Sequence, residues 1–354
     1  MISAARRFAV GLLSLLAADI ASSAPESPVS ARIECSLPSA PDRIRQFAFD
    51  GDGASHFATA TNPAANDHLT LHFDAPVTLK SVKVTTGRAT GEDALKAGVL
   101  EVSDDGAKFE LLTKFADGKA QADGKERKVK AIRIRPSEDP KHPLVIREIA
   151  VESSPKVAAF RYPVEFTTDI ADAPEMKPWM EKVVRICEKH YPMICDELAS
   201  EGFVPPTQIR IAMKSDYAGV AEASGAKIKG SVKYFKSRPE DIGAMIHETA
   251  HCVQGYRARG LPGWLVEGIA DYVRFWKYEP GKAGKVKAER AKYDGSYRTT
   301  AAFLAFAAEK YDAKLVNKLN AVLREGKYDA KVWKELTGKT VEELEREWKE
   351  SLAK

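Results

Sequence analysis

Long apolar runs are missing from this 354-residue chain outside its first 24 positions, so no later stretch can cross a bilayer. Cysteine is scarce. Four residues, Cys35, Cys187, Cys195 and Cys252, are too few for a disulfide framework, and the sequence leaves their pairing open. No charge sign dominates: 54 Lys and Arg oppose 50 Asp and Glu, for a net charge of +4. That balance lacks the concentrated basic face that nucleic-acid binding needs. Tryptophan and tyrosine are absent before residue 160, and none of the seven histidines follows His251. Internal repeats and low-complexity tracts are absent too. With 44% hydrophobic and 29% charged residues, the composition excludes wholesale disorder and collagen-like structure.

The one apolar run that is present lies at the N-terminus. Arg6 and Arg7 precede the run from Phe8 to Ala18, and Ser22-Ser23-Ala24 places small residues before a cut at Pro25. About 11 apolar residues are too short for a membrane anchor, and the pattern predicts a secretory signal peptide over 1–24. The mature chain is therefore expected to be secreted or periplasmic after cleavage near Ala24. Residues 25–38, rich in Ser, Pro and Ala, read as a linker. Residues 39–152 alternate apolar and polar side chains, as in Leu69 to Phe73, Val82 to Val84 and Ile132 to Ile134. Turns such as Asp105-Gly106 and Asp117-Gly118 separate these runs. They predict an all-β sandwich. The aromatic asymmetry puts a domain boundary near Ser153-Ser154-Pro155, and residues 156–354 read as mostly helical α+β. Helical periodicity is expected over Pro178 to Leu198, Pro239 to Gln254 and four segments after Pro262. Thr340 and Glu343 predict a capping box opening the last helix. Strands are expected over Gln208 to Met213 and Ile228 to Phe235.

His247-Glu248-Thr249-Ala250-His251 carries the chemistry. Ile242, Met245, Ile246, Ala250 and Val253 recur at helical spacing, and Ser237 with Glu240 predicts a capping box before them. Two imidazoles at i and i+4 then project from one face, one turn apart, and can grip one metal ion. Glu248 lies between them, where its carboxylate can reach an attacking water. A catalytic zinc site keeps three protein ligands and leaves the fourth position to solvent. With no later histidine, a downstream third ligand must be a carboxylate. Glu267 stands on an apolar helical stripe with Asp271 one turn beyond it, and Gly255, Gly260 and Pro262 reverse the chain between the two helices. Glu267 can ligate, and Asp271 can accept the spare N–H of a ligand histidine. Gly268 would let the two helices approach closely.

Together with Trp264 to Arg274, this segment resembles the basic secretory protein family of plants and bacteria, HExxH…E metallopeptidases of the gluzincin type. The likeness continues through Tyr293 to Leu304 and Leu336 to Val341, and spans about Arg161 to the C-terminus. It implies a zincin-like, thermolysin-like catalytic domain, one Zn2+ held by His247, His251 and Glu267, and Glu248 as general base. Tyr297 is the candidate donor to the developing oxyanion, with Tyr256, Tyr272 and Tyr293 as competitors. The strand Ile228 to Phe235 is read either as an edge that pairs with an extended substrate or as an ordinary sheet strand.

In the first half, Phe49 to Gly53, Pro76 to Val82 and Ile146 to Ile149 are similar to discoidin (F5/8 type C) domains, a galactose-binding-like jelly roll. That likeness implies a glycan partner for the sandwich, although only phenylalanine is available there to stack on a sugar. Asp50 and Asp52 suggest either a Ca2+ loop or a simple Asp-Gly turn. The chain as a whole reads as a secreted zinc endopeptidase acting on protein or glycoprotein, with an appended β-sandwich. The alternatives are a non-catalytic surface- or glycan-binding protein and a degenerate peptidase.

Overall fold

The computed structural model describes residues 27–295 and 297–353; the expected signal peptide lies outside them. Alternation in the first half produces seven antiparallel strands: β1 (Ala31–Cys35), β2 (Phe57–Ala58), β3 (Leu69–Thr86), β4 (Gly98–Ser103), β5 (Glu110–Lys114), β6 (Lys119–Pro136) and β7 (Val145–Ser154). Their order is β2-β7-β3-β6-β4-β5, with β1 pairing the first part of β3. β3 and β6 are 18 residues long, and the register between them shifts between His72 and Val77 and again between Leu79 and Ser81. Such bulges bend a strand pair, so the same two strands serve both layers of the sandwich. Leu71, Phe73, Val84, Leu100, Ile132 and Ile146 lie buried between the layers.

The expected linker 25–38 needs correction, because Ala31 to Cys35 form β1. Ile33 points into the sandwich core while its neighbours stay half-exposed, the alternation of a half-buried strand. Ser and Pro around this short strand hid the pattern.

The second half contains β8 (Glu165–Asp169), α1 (Lys177–Glu197), β9 (Gln208–Lys214), β10 (Ala221–Ser224), β11 (Lys227–Ser231), α2 (Val232–Ser237) and α3 (Gly243–Gln254). Thereafter come α4 (Gly263–Tyr272), extended by a π-helical turn over Val273–Tyr278, then α5 (Tyr297–Lys310), α6 (Leu315–Arg324), α7 (Lys331–Thr337) and α8 (Val341–Leu352). Among the described residues, five α-helices thus follow Pro262 where four were expected. β8, β9 and β11 run parallel, and β10 closes one edge antiparallel to β11. Thr340 and Glu343 form the expected capping box of α8.

Two expectations near the HExxH helix fail. The strand expected over Ile228 to Phe235 ends at Ser231, whose hydroxyl accepts the Tyr234 N–H and opens α2. Ser237 therefore closes α2 instead of capping α3, and its hydroxyl donates to the Tyr234 carbonyl. α3 begins only at Gly243, after a turn over residues 239–242. Its far end is stopped by Gly255 in the left-handed region (φ 57°), a conformation that costs glycine least.

The halves meet through a buried charge cluster. Arg45 lies within hydrogen-bonding reach of Glu188 on α1 and donates to Glu165 on β8 (3.0 Å). Gln46 accepts the Val164 N–H (2.9 Å), and Phe49 meets Phe160 edge-on. Lys189 to Asp74 (2.7 Å) and Arg185 to Glu34 (3.3 Å) lie at the rim. No helix among the described residues is long and apolar enough to cross a membrane.

Candidate active site

α3 is buried on most of its circumference. Met245, Ile246, Ala250 and Val253 sit in the core of the second half, each large apolar side chain contributing roughly 1.5–3 kcal/mol of burial. This anchors the helix so that His247, Glu248 and His251 face an open cleft of about 1060 Å³. α4 packs beside it and brings Glu267 to the same cleft and Asp271 behind it. Gly268 admits a different neighbour from the one expected. A Cβ there would lie 2.2 Å from the Thr300 side chain, so the glycine permits close packing of α4 on α5, not on α3.

Three atoms converge. His247 Nε2 lies 3.0 Å from His251 Nε2, and Glu267 Oε2 lies 3.1 Å from each. Among the described residues these three side chains form a group able to hold a metal ion. His247 Nδ1–H donates to Asp271 Oδ1 at 2.7 Å, so with its outer nitrogen protonated it presents a lone pair inward. His251 Nδ1 is 2.7 Å from the side-chain oxygen of Gln254, whose amide donates to the Val266 carbonyl at 2.9 Å. Three inward-facing acceptors repel one another unless a cation lies between them. A tetrahedral zinc with ligands at about 2.0–2.2 Å would separate them by roughly 3.3 Å, close to the spacing observed.

The electrostatics agree. Burial opposes a proton on His247, yet the Asp271 and Glu267 carboxylates carry its pKa up to about 9. Groups that favour positive charge on that ring favour a divalent cation in its place. Burial alone would raise Glu267, but the adjoining His247 and His251 rings hold it down at about 2. Glu248, only 7% exposed, is pushed upward by burial despite both imidazoles. Its carboxylate receives no hydrogen bond from the described residues and faces the cleft.

Tyr297 stands at the cleft mouth, 53% exposed, its ring centroid 6.2 Å from that of His247. The nearby Glu267 charge, then burial, raises its hydroxyl pKa. Of its competitors, Tyr256 also lines the cleft, but its hydroxyl is engaged with Asn320 (2.8 Å). Tyr272 stacks on Trp276 and Tyr293 packs on Trp264.

Sequence reasoning missed part of the wall. The edge strand is β10, whereas β11, which contains Ile228, lies inside the sheet. Phe203, Val204 and Arg324 also line the cleft, with Val204 79% exposed. Gln254 had no place among the site residues expected from the sequence. Its position three residues after His251, on the same helical face, was the signal available.

At the sandwich corner, Asp50 accepts the Asp52 N–H (3.0 Å) and the Ser55 hydroxyl (2.8 Å), while Asp52 accepts the Ala54 N–H (2.9 Å). These are turn contacts, and the two carboxylates are not part of a three-ligand group. Sugar stacking has little to work with there. Phe49, Phe57, Phe73 and Phe115 are buried, Phe47 is half-buried, and Arg133 covers Phe109 at 3.7 Å. All four cysteines are free, with Cys187, Cys195 and Cys252 buried.

An HExxH helix joined by a glutamate from the next helix gives the α+β domain a cleft lined by a group able to hold a metal ion. Residues 165–348, just over half of the chain, match the family model described as peptidase of plants and bacteria, and the chain belongs to that family. No curated protein matches the chain. Solved structures similar to the sandwich include CBM32-1 from a family 31 glycoside hydrolase of Clostridium perfringens (17% identity, TM-score 0.31), covering 34% of this chain and 92% of that one. A Streptococcus pneumoniae fucose binding module is similar at 16% identity and TM-score 0.30, with 34% and 92% covered. These likenesses carry no functional argument.

Proposed function

We propose that this peptidase is a secreted, zinc-dependent endopeptidase. The observation that carries the reading is the triangle of His247 Nε2, His251 Nε2 and Glu267 Oε2, with spare ring hydrogens already directed outward. Zinc held there supplies Lewis acidity toward the scissile carbonyl and lowers the pKa of water towards neutrality. Glu248 receives the proton of the attacking water and returns it to the departing amine. Tyr297, free at the cleft mouth, turns its hydroxyl to the carbonyl oxygen as charge develops on it.

β10 aligns the substrate. Ser231 N–H donates to the Val220 carbonyl (3.0 Å), and antiparallel alternation then turns the main-chain groups of Ala221 and Ala223 away from β11. An extended segment of protein or glycoprotein adds to that edge as a further strand, with the metal pole alongside.

Metal analysis of the mature protein, followed by casein digestion with and without chelator, tests the reading. About one zinc per chain, lost together with hydrolysis on chelation, is the expected result. A zinc-free chain that binds surfaces without cutting protein would favour the non-catalytic alternative.

A further inference from the structure

We propose that Gln254 is the positioning residue for His251, setting its tautomer through its side-chain oxygen. The inference rests on the zinc reading above. Gln254 is 1% exposed, so neither end of its amide can turn to water. The Val266 carbonyl can only accept, so the Gln254 nitrogen is the atom that donates to it. The side-chain oxygen is then the atom 2.7 Å from His251 Nδ1. It too can only accept, which obliges Nδ1 to carry the proton and leaves Nε2 with its lone pair toward the metal position. Val266 immediately precedes Glu267. One amide therefore orients a ligand on α3 and ties it to the backbone beside a ligand on α4.

Gln254 is itself held from behind. Arg324 donates through Nε to the Gln254 carbonyl and through Nη2 to the carbonyls of Val253 and Leu198, each at 2.9 Å, and it also reaches the Ser200 hydroxyl. Its guanidinium lies over the Phe203 ring at 3.6 Å. No carboxylate among the described residues pairs with it. Its charge faces the carbonyl ends of α1 and α3, where a cation is stabilised by the helix dipoles. The last turn of α3, and Gln254 with it, is thereby fixed without placing a negative charge near the cleft.

The partners of the two ligand histidines differ. Asp271, an anion, holds His247, whereas a neutral amide holds His251. A carboxylate in place of the amide would still accept the Nδ1 proton, and more strongly.

The test is zinc affinity of the full chain, measured by competition with a chromophoric chelator, for wild type, Gln254→Leu and Gln254→Glu. Gln254→Leu should weaken zinc binding about 10–100-fold, and Gln254→Glu should match or exceed wild type. If Gln254 only bridges the helices, the order reverses, because the glutamate sets an unpaired oxygen against the Val266 carbonyl. Gln254→Glu binding more weakly than Gln254→Leu, or Gln254→Leu binding as wild type does, would overturn the proposal. Should the leucine variant not fold, Gln254→Met keeps the side-chain length and is held to the same expectation. A wild type that binds zinc but does not cut casein defeats the endopeptidase reading alone; one that takes up no zinc defeats both.

Discussion

The sandwich corner at Asp50, Asp52 and Glu148 and the pole between α3 and α4 both concentrate carboxylates, to different ends. In the corner, Asp50 and Asp52 close the loop they belong to. One oxygen of Glu148 is left buried without a partner, and burial, then the charge of Asp50, lifts its pKa to about 7. At the pole, Asp271 and Gln254 satisfy the outer nitrogens, and the three remaining acceptors point at one another. A ligand site is thus marked by unsatisfied groups that share a target once every other polar demand nearby has been met, and a high local density of acids does not make one.

The most severe way to break this contrast is at the pole. Glu248→Ala should keep its zinc and lose hydrolysis by roughly 10²–10⁴-fold, while His251→Ala should lose both metal and hydrolysis. Full activity in Glu248→Ala would mean that the base lies elsewhere. Next comes the junction between the two regions. Arg45→Met leaves Glu165 and Glu188 buried together without their cation and should cost about 3 kcal/mol in denaturant unfolding. An unchanged midpoint would show that the halves do not lean on each other there.

Tyr297→Phe sharpens the contrast within the cleft. It should lower kcat by about 10²-fold with little change in KM, since an oxyanion donor acts only in the transition state. A rise in KM at constant kcat would make Tyr297 a substrate contact. The smallest effect belongs to the corner. The folded-state pKa of Glu148 is raised above its ordinary value of 4.5, so the associated stability is complete below that value and is lost as pH rises through about 7. Glu148→Gln should therefore raise the melting temperature at about pH 8 and lose that advantage at about pH 4, by on the order of 1 kcal/mol after solvent screening. A gain that did not depend on pH would reassign the effect to packing.

Much of the pole was readable along the chain because a helix converts spacing into direction. His247 and His251 at i and i+4, and Glu267 and Asp271 at the same interval, define two faces whatever surrounds them. The alternation of Leu69 to Phe73 likewise identified strand β3. Reading failed where one short element gave way to another. Residues 228–235 are apolar enough for a single strand, but the Ser231 hydroxyl turns them into strand then helix. β1 is five residues long in a Ser- and Pro-rich setting, and its stability comes from pairing with β3, which lies far along the chain.

What the sequence alone determined is the set of groups: two imidazoles, a glutamate between them and a second glutamate in the next helix, on the periodicity of a helix pair. Tertiary structure decided everything that depends on approach across the fold. It placed Glu267 within 3.1 Å of both rings, chose β10 over β11 as the free edge, set Gly268 against α5, and put Gln254 and Arg324 behind His251. The physical reason is one of range. Local spacing orients a side chain relative to its own helix, whereas the distance between helices is set by the packing of residues remote in sequence.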